Sequence, residues 1–78
     1  MSNLEKYKTV FCENLNVTED QLENLKYQDV ELWDSVGHMT LVAALEDAFD
    51  IMLETDDIID LSSFKKGIDI LKKYDVEF

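Results

Sequence analysis

Apolar side chains recur along this chain at three- and four-residue steps, the spacing that stacks them on one stripe of an α-helix. Leu4, Tyr7, Phe11 and Leu15 form the first stripe, with Glu5, Lys6, Lys8 and Glu13 off it. This predicts a helix from about Asn3 to Leu15. Ser2 or Asn3 is placed to cap its start by accepting a backbone N–H, and Asn14 and Asn16 suit its end. The period lapses between Asn16 and Asp34. Thr18-Glu19-Asp20-Gln21 has the form of a capping box, which predicts one short turn of helix there. Val17, Leu22, Leu25, Tyr27, Val30 and Leu32 are expected to anchor this connection to the core. A structureless loop of that length is unusual in a compact domain and tends to carry function.

A second helix is predicted from Ser35 to about Phe49, capped by Asp34 or Ser35. Advancing about 100° per residue from Ser35 puts Leu41, Val42, Ala44, Leu45, Ala48 and Phe49 on one broad core arc. The opposite arc carries Ser35, Val36, Met39, Thr40, Ala43, Glu46, Asp47 and Asp50. A short third helix, about Asp56 to Asp60, is expected behind Thr55 as cap. Asp56 and Asp57 then oppose the positive end of its dipole. The fourth runs from about Phe64 to Tyr74 behind Ser62 or Ser63. Phe64, Ile68, Leu71 and Tyr74 form its stripe, and Lys72 and Lys73 sit near its C-terminal end. The expected fold is a single all-α domain over residues 1–78. It is a small bundle of three longer helices and one short one, with a long loop between the first two.

Composition narrows this further. Zero prolines and two glycines argue against an all-β domain, which needs turn residues at short intervals. An apolar fraction of 46% is enough for one core and too high for disorder. Eighteen acidic residues face seven lysines and no arginine, for a net charge of −11. That disfavours nucleic acid and anionic membrane surfaces, which are met with clustered basic residues. No apolar run approaches the ~20 residues of a membrane span, and the N-terminus shows no apolar stretch of signal-peptide length. Cys12, the single cysteine, can form neither an internal disulfide nor a Cys-rich zinc site. A soluble cytoplasmic monomer with a reduced thiol is expected.

The charges are also sorted along the chain. Between Tyr27 and Phe64 there is no base, whereas Asp29, Glu31, Asp34, Glu46, Asp47, Asp50, Glu54, Asp56, Asp57 and Asp60 are all acidic. Charge runs are usually solvated faces. Here the single-sign field surrounds a helix whose outer face also shows Val36, Met39 and Ala43, and apolar groups rimmed by like charge suit a docking patch for a basic partner. Catalytic constellations are missing by comparison. Gly37 and Gly67 lie in no phosphate loop, and the acidic stretch Glu54–Asp60 lacks the glycine of an EF-hand. Ser35 and His38, three apart, have no identifiable third group or oxyanion donors, so His38 reads as a histidine packed at the helix flank.

Asp34-Ser35-Val36 at the start of an acidic amphipathic helix resembles the Asp-Ser-Leu modification motif of acyl carrier proteins. Leu41-Val42-Ala43-Ala44-Leu45-Glu46-Asp47-Ala48-Phe49 looks like that family's second helix, and length, acidity and the long first loop match over essentially the whole chain. The resemblance implies a four-helix bundle and no catalysis of its own. Its implied role is to carry acyl intermediates as thioesters on a 4′-phosphopantetheine arm at Ser35, in fatty-acid or related biosynthesis. It implies Asp34 as a recognition residue for a phosphopantetheinyl transferase, and Val36, Met39, Thr40, Ala43, Glu46 and Asp47 as the face shown to basic patches of partner enzymes. It also makes Leu41, Leu45, Phe49, Leu53, Ile58, Leu61 and Ile68 candidates to line a cavity for the acyl chain. The chain departs from the family pattern. Val36 stands for the commoner leucine, Gly37 for a frequent aspartate and Thr40 for a frequent glutamate, and no proline follows the second helix. A specialised aminoacyl or polyketide-type carrier is therefore kept as an alternative. From a different class, an acidic helical adaptor with no prosthetic group remains the competing reading.

Overall fold

The computed structural model describes residues 2–78. Its elements are α1 (Asn3–Leu15), α2 (Glu19–Leu22), α3 (Ser35–Phe49), α4 (Thr55–Asp60) and α5 (Phe64–Lys72), with no strand among the described residues. Five helices stand where four were expected, because the capping-box turn closes into α2. Gln21 Oε1 accepts the Thr18 N–H at 2.9 Å.

The ends follow cap chemistry. Ser2 Oγ accepts the Glu5 amide at 3.1 Å, and Ser63 Oγ accepts the Lys66 amide at 3.0 Å. α1 and α3 each stop on a left-handed residue, Asn16 (φ 55°) and Asp50 (φ 53°). Short polar side chains visit that region more readily than other non-glycine residues. α3 has no base in its own last turn. Lys6 of α1 supplies one, donating to the Ala48 carbonyl at 3.3 Å with Nζ 5.2 Å from the centre of the Phe49 ring.

The core gathers Tyr7, Phe11 and Leu15 of α1, Leu41, Val42 and Leu45 of α3, and Phe64, Ile70 and Leu71 of α5. Each such side chain contributes roughly 1.5–3 kcal/mol by leaving water. The rings of Tyr7, Phe11 and Phe64 meet at 4.8–5.1 Å between centroids. Tyr7 also donates its hydroxyl to the Phe64 carbonyl at 2.6 Å, and burial pushes that phenol well above its ordinary pKa.

Four expectations need correction. Leu32 is half-exposed, and its neighbour Trp33 is the fully buried anchor instead. On α5, Ile70 is buried where Ile68 was expected, Ile68 lying only partly under cover. α5 ends at Lys72 rather than Tyr74. The N-cap of α4 is Glu54 rather than Thr55, because the Tyr74 hydroxyl reaches across to accept the Glu54 amide at 3.0 Å.

The Asn16–Asp34 connection is ordered by more than its anchors. The Tyr27 amide donates to Ser62 O at 2.9 Å and the Phe64 amide to Leu25 O at 3.0 Å, which ties the loop to the start of α5. Val17, Leu22 and Leu25 are buried, with Tyr27 and Val30 partly so.

α4 is held by a polar clasp. Asp57, 6% exposed, accepts from Lys73 and, at 2.5 Å, from the Tyr74 hydroxyl. The Lys73 ammonium, and secondarily Tyr74, hold the Asp57 carboxyl below the usual carboxylate range. Its folded pKa thus lies under the unfolded value of about 3.9, so the stability it contributes is present above that value and is lost as pH falls through the folded one. Lys73 is largely exposed, and water moderates the pair. We expect Asp57→Asn to lower the urea midpoint near neutral pH and the gap from wild type to shrink as pH drops below about 4. A gap independent of pH would refute the clasp.

Candidate functional site

Ser35 is the first residue of the longest helix, and its side chain is exposed. Asp34 creates that helix end. Its Oδ1 accepts the Gly37 amide at 2.8 Å, and its carbonyl accepts the His38 amide at 2.7 Å. First-turn amides not used in this way are free to meet a negative group, and the helix dipole adds to the attraction.

The close fit extends to the preceding loop. A Cβ built on Gly37 would lie 1.7 Å from the Leu32 carbonyl oxygen. The first turn of α3 therefore rides directly on the Leu32–Trp33 peptide, and glycine is required for that approach.

Beside Ser35 runs a groove of about 330 Å³ between the start of α3 and α4, lined by Tyr27, Ser35, His38, Met39, Ile58, Ile59, Leu61 and Ser62. Its floor is fixed by one hydrogen-bond relay. Trp33 Nε1–H donates to His38 Nδ1 at 2.9 Å, and an indole N–H can only donate. His38 Nδ1 is thus the acceptor, and Nε2–H donates to the Ile58 carbonyl at 2.8 Å. His38 therefore links the Trp33 loop to α3 and α4 at once. The Trp33 and His38 rings lie within 13° of parallel, and Tyr27 meets both edge-on.

The outer face of α3 holds most of the residues assigned to it. Ser35, Val36, Met39, Thr40, Ala43 and Asp47 are all exposed, Val36 at 75% and Met39 at 53%. Thr40 turns its hydroxyl back onto the Val36 carbonyl at 3.2 Å. Glu46 is different: it is half-buried, and its Oε2 accepts the Leu53 amide at 2.8 Å, so its carboxylate braces the α3–α4 connection.

The ten acids of the base-free centre divide in the same way. Asp29 accepts the Lys26 amide, Asp34 caps α3, Glu46 braces the connection and Asp57 pairs with Lys73. Glu31, Asp47, Asp50, Glu54, Asp56 and Asp60 are exposed. Of the seven residues proposed for an internal acyl cavity, Leu41, Leu45, Leu53 and Leu61 are buried and Phe49, Ile58 and Ile68 partly so, but only Ile58 and Leu61 line the groove. Sequence reasoning missed Tyr27, Ile59 and the Trp33–His38 relay as parts of the site. A lone tryptophan directly before Asp34-Ser35 was the available signal. Cys12 is a free, partly buried thiol whose pKa burial pushes up.

A scan against protein-family models matches none of them, and a search of curated proteins finds no match. No helix among the described residues is long and apolar enough to cross a membrane.

Proposed function

We propose that this protein is an acyl carrier, with Ser35 as the attachment point of a 4′-phosphopantetheine arm and the acidic outer face of α3 as the surface read by partner enzymes. The observation that carries the reading is the placement of one exposed serine at the start of α3, opening directly onto an apolar groove. With the single turn α2 set aside, this reading takes α1, α3, α4 and α5 as the four helices of such a bundle.

The residues present suit the group. The serine is exposed, first-turn amides and the dipole favour a phosphodiester there, and the groove gives an apolar chain a wall to lie along. When attached, the arm supplies a thiol that holds acyl groups as thioesters. Loading requires no base from this chain. Ser35 Oγ attacks the β-phosphorus of coenzyme A, the pyrophosphate P–O bond breaks, and adenosine 3′,5′-bisphosphate leaves. The serine proton passes to a base of the transferase. Asp34 holds the helix end in place during this step through its bond to the Gly37 amide.

Val36, Met39 and Ala43 offer apolar contact to a partner, and Asp47 and Asp50 offer charge. Their attraction for a basic patch speeds encounter and is weakened by salt. A carrier that visits several enzymes needs contacts that are easily broken.

Incubation of the apo protein with coenzyme A, Mg²⁺ and a broad-specificity phosphopantetheinyl transferase is expected to add the mass of one phosphopantetheinyl group to wild type and none to Ser35→Ala. No gain, or a gain that survives the substitution, overturns the proposal. Binding of a basic partner that is indifferent to Ser35→Ala, without any loading, would instead identify an acidic adaptor.

A further inference from the structure

The His38 ring joins three segments, and it can do so in one protonation state only. The Trp33 indole is buried, and its backbone is clamped, the Gln28 amide donating to Trp33 O and the Trp33 amide to Val30 O, both at 3.1 Å. The direction of its N–H is therefore fixed, and that nitrogen can only donate. His38 Nδ1 meets it with a lone pair at 2.9 Å, while Nε2–H is spent on the Ile58 carbonyl at 2.8 Å. A neutral imidazole has one donor and one acceptor, whereas an imidazolium has two donors and no acceptor. A proton on Nδ1 would set two N–H groups against each other across 2.9 Å. Turning the ring over puts a carbon in place of the lone pair and still leaves the indole without an acceptor. With the indole fixed, the histidine yields. A ring that keeps its bond to Ile58 O draws α4 along as it moves, and a ring that drops it leaves α4 without this tie.

The surroundings do not offset a positive charge on the ring. The loop contributes Trp33 and, edge-on at 5.5 Å, Tyr27. α3 itself contributes Asp34, whose carboxylate is spent on the Gly37 amide. α4 contributes the Ile58 carbonyl; its Asp57 is turned to Lys73 and Tyr74, and Asp56 and Asp60 are exposed. The ion pairs among the described residues are Lys8–Glu19 and Lys73–Asp57, and neither involves the histidine. His38 is half-buried and lines the groove, so water reaches it there. Imidazoles change charge between about pH 5 and 8. The Asp57 carboxyl is held below the usual carboxylate range by Lys73 and Tyr74, so the clasp on α4 stays closed throughout that window.

We propose that His38 is a proton-operated latch on the groove beside Ser35: the neutral ring holds α4 to α3 and the loop, and the protonated ring lets α4 go. Ile58, Ile59 and Leu61 form the far wall of that groove, so mild acidification loosens the wall next to Ser35. The latched state binds fewer protons than the released one, and latching is therefore favoured as pH rises and lost as it falls. The latch goes beyond the carrier reading and operates whether or not Ser35 bears an arm.

His38 is the only histidine and Trp33 the only tryptophan, so nuclear magnetic resonance follows one ring titration and one indole N–H signal in the full chain. Between about pH 8 and 5 the indole signal should shift with the midpoint of the His38 ring. Over the same range the Ile58 and Leu61 amides of the α4 segment, which bond to Glu54 O and Asp57 O, should lose about tenfold of their hydrogen-exchange protection after correction for intrinsic exchange, the scale of one stranded buried donor. His38→Gln offers the indole an amide oxygen and Ile58 O an amide N–H but does not titrate, so its protection should change by less than about threefold. A ring that stays neutral over the whole range, an indole signal or α4 protection that does not follow the ring, or an equal loss of protection in His38→Gln overturns the latch. If that variant does not fold, coincidence of the three wild-type midpoints decides. Loading of Ser35 is measured separately, so failure of the carrier reading and failure of the latch are distinguishable.

Discussion

Trp33→Ala is expected to destabilise the protein by about 4 kcal/mol, the middle of the range for removing a large buried aromatic. A 78-residue domain has roughly 4–12 kcal/mol in total, so this one change leaves much of the population unfolded or close to it. Three losses combine. The indole contributes burial beside Phe11 and Tyr27. It supplies the hydrogen bond that orients His38. Through His38 it also fixes the wall of the groove at Ile58. The check is a urea titration followed by far-ultraviolet circular dichroism, since the variant has no tryptophan emission. A loss below about 1 kcal/mol, the scale of an ordinary surface or conservative change, would show that the ring is not the keystone its burial suggests.

The second large effect is expected at Gly37. Two terms compete when alanine replaces it. Helix propensity favours alanine by about 1 kcal/mol. Against this, the new methyl would sit 1.7 Å from the Leu32 carbonyl oxygen, and backbone cannot yield as the end of a flexible side chain can. Overpacking of that kind costs about 1–3 kcal/mol or more, and here the displaced peptide is the one that seats Trp33. The net result should be a destabilisation of about 2 kcal/mol, read from the urea midpoint. A midpoint raised by alanine, as propensity alone requires, would contradict the close approach. The same geometry explains why glycine occupies a position where the resembled family often has aspartate.

The pieces of the fold that could be read from sequence are those set by local chemistry. Ser2, Asp34 and Ser63 mark helix starts because their side chains accept amides three residues on. The Thr18–Gln21 box encodes its own turn. The stripes of α1 and α3 follow from period alone. What was not legible depends on partners distant in sequence or lies where no period exists. Leu32 and Trp33 are adjacent and apolar, and in a loop nothing local says which one turns inward. Asp57 looks like any acid in a first helical turn until Lys73 and Tyr74 arrive from α5. Nothing local ties Glu46 to the α3–α4 connection until the chain turns back and presents the Leu53 amide. At the site itself, Ser35 and the exposed face of α3 were readable from motif and helical arc. The groove was not, because its far wall is α4 and its floor is a relay through residues of three separate segments.

The manner in which α4 is attached has a thermodynamic consequence. Six residues cannot sustain a helix alone, and within it only Asp57 is buried. Leu53 and Leu61 are buried on either side and act as fixed pivots, while the span between them is fastened by polar bonds to Lys73, Tyr74 and His38. Freeing that span breaks those polar bonds together and uncovers Ile58, which packs against the core, and apolar exposure raises the heat capacity on opening. Movement of this wall should therefore answer to acidity and ionic strength through the Asp57–Lys73 pair as well as to temperature through Ile58, and it should be felt at the indole, because the His38 ring is tied to both.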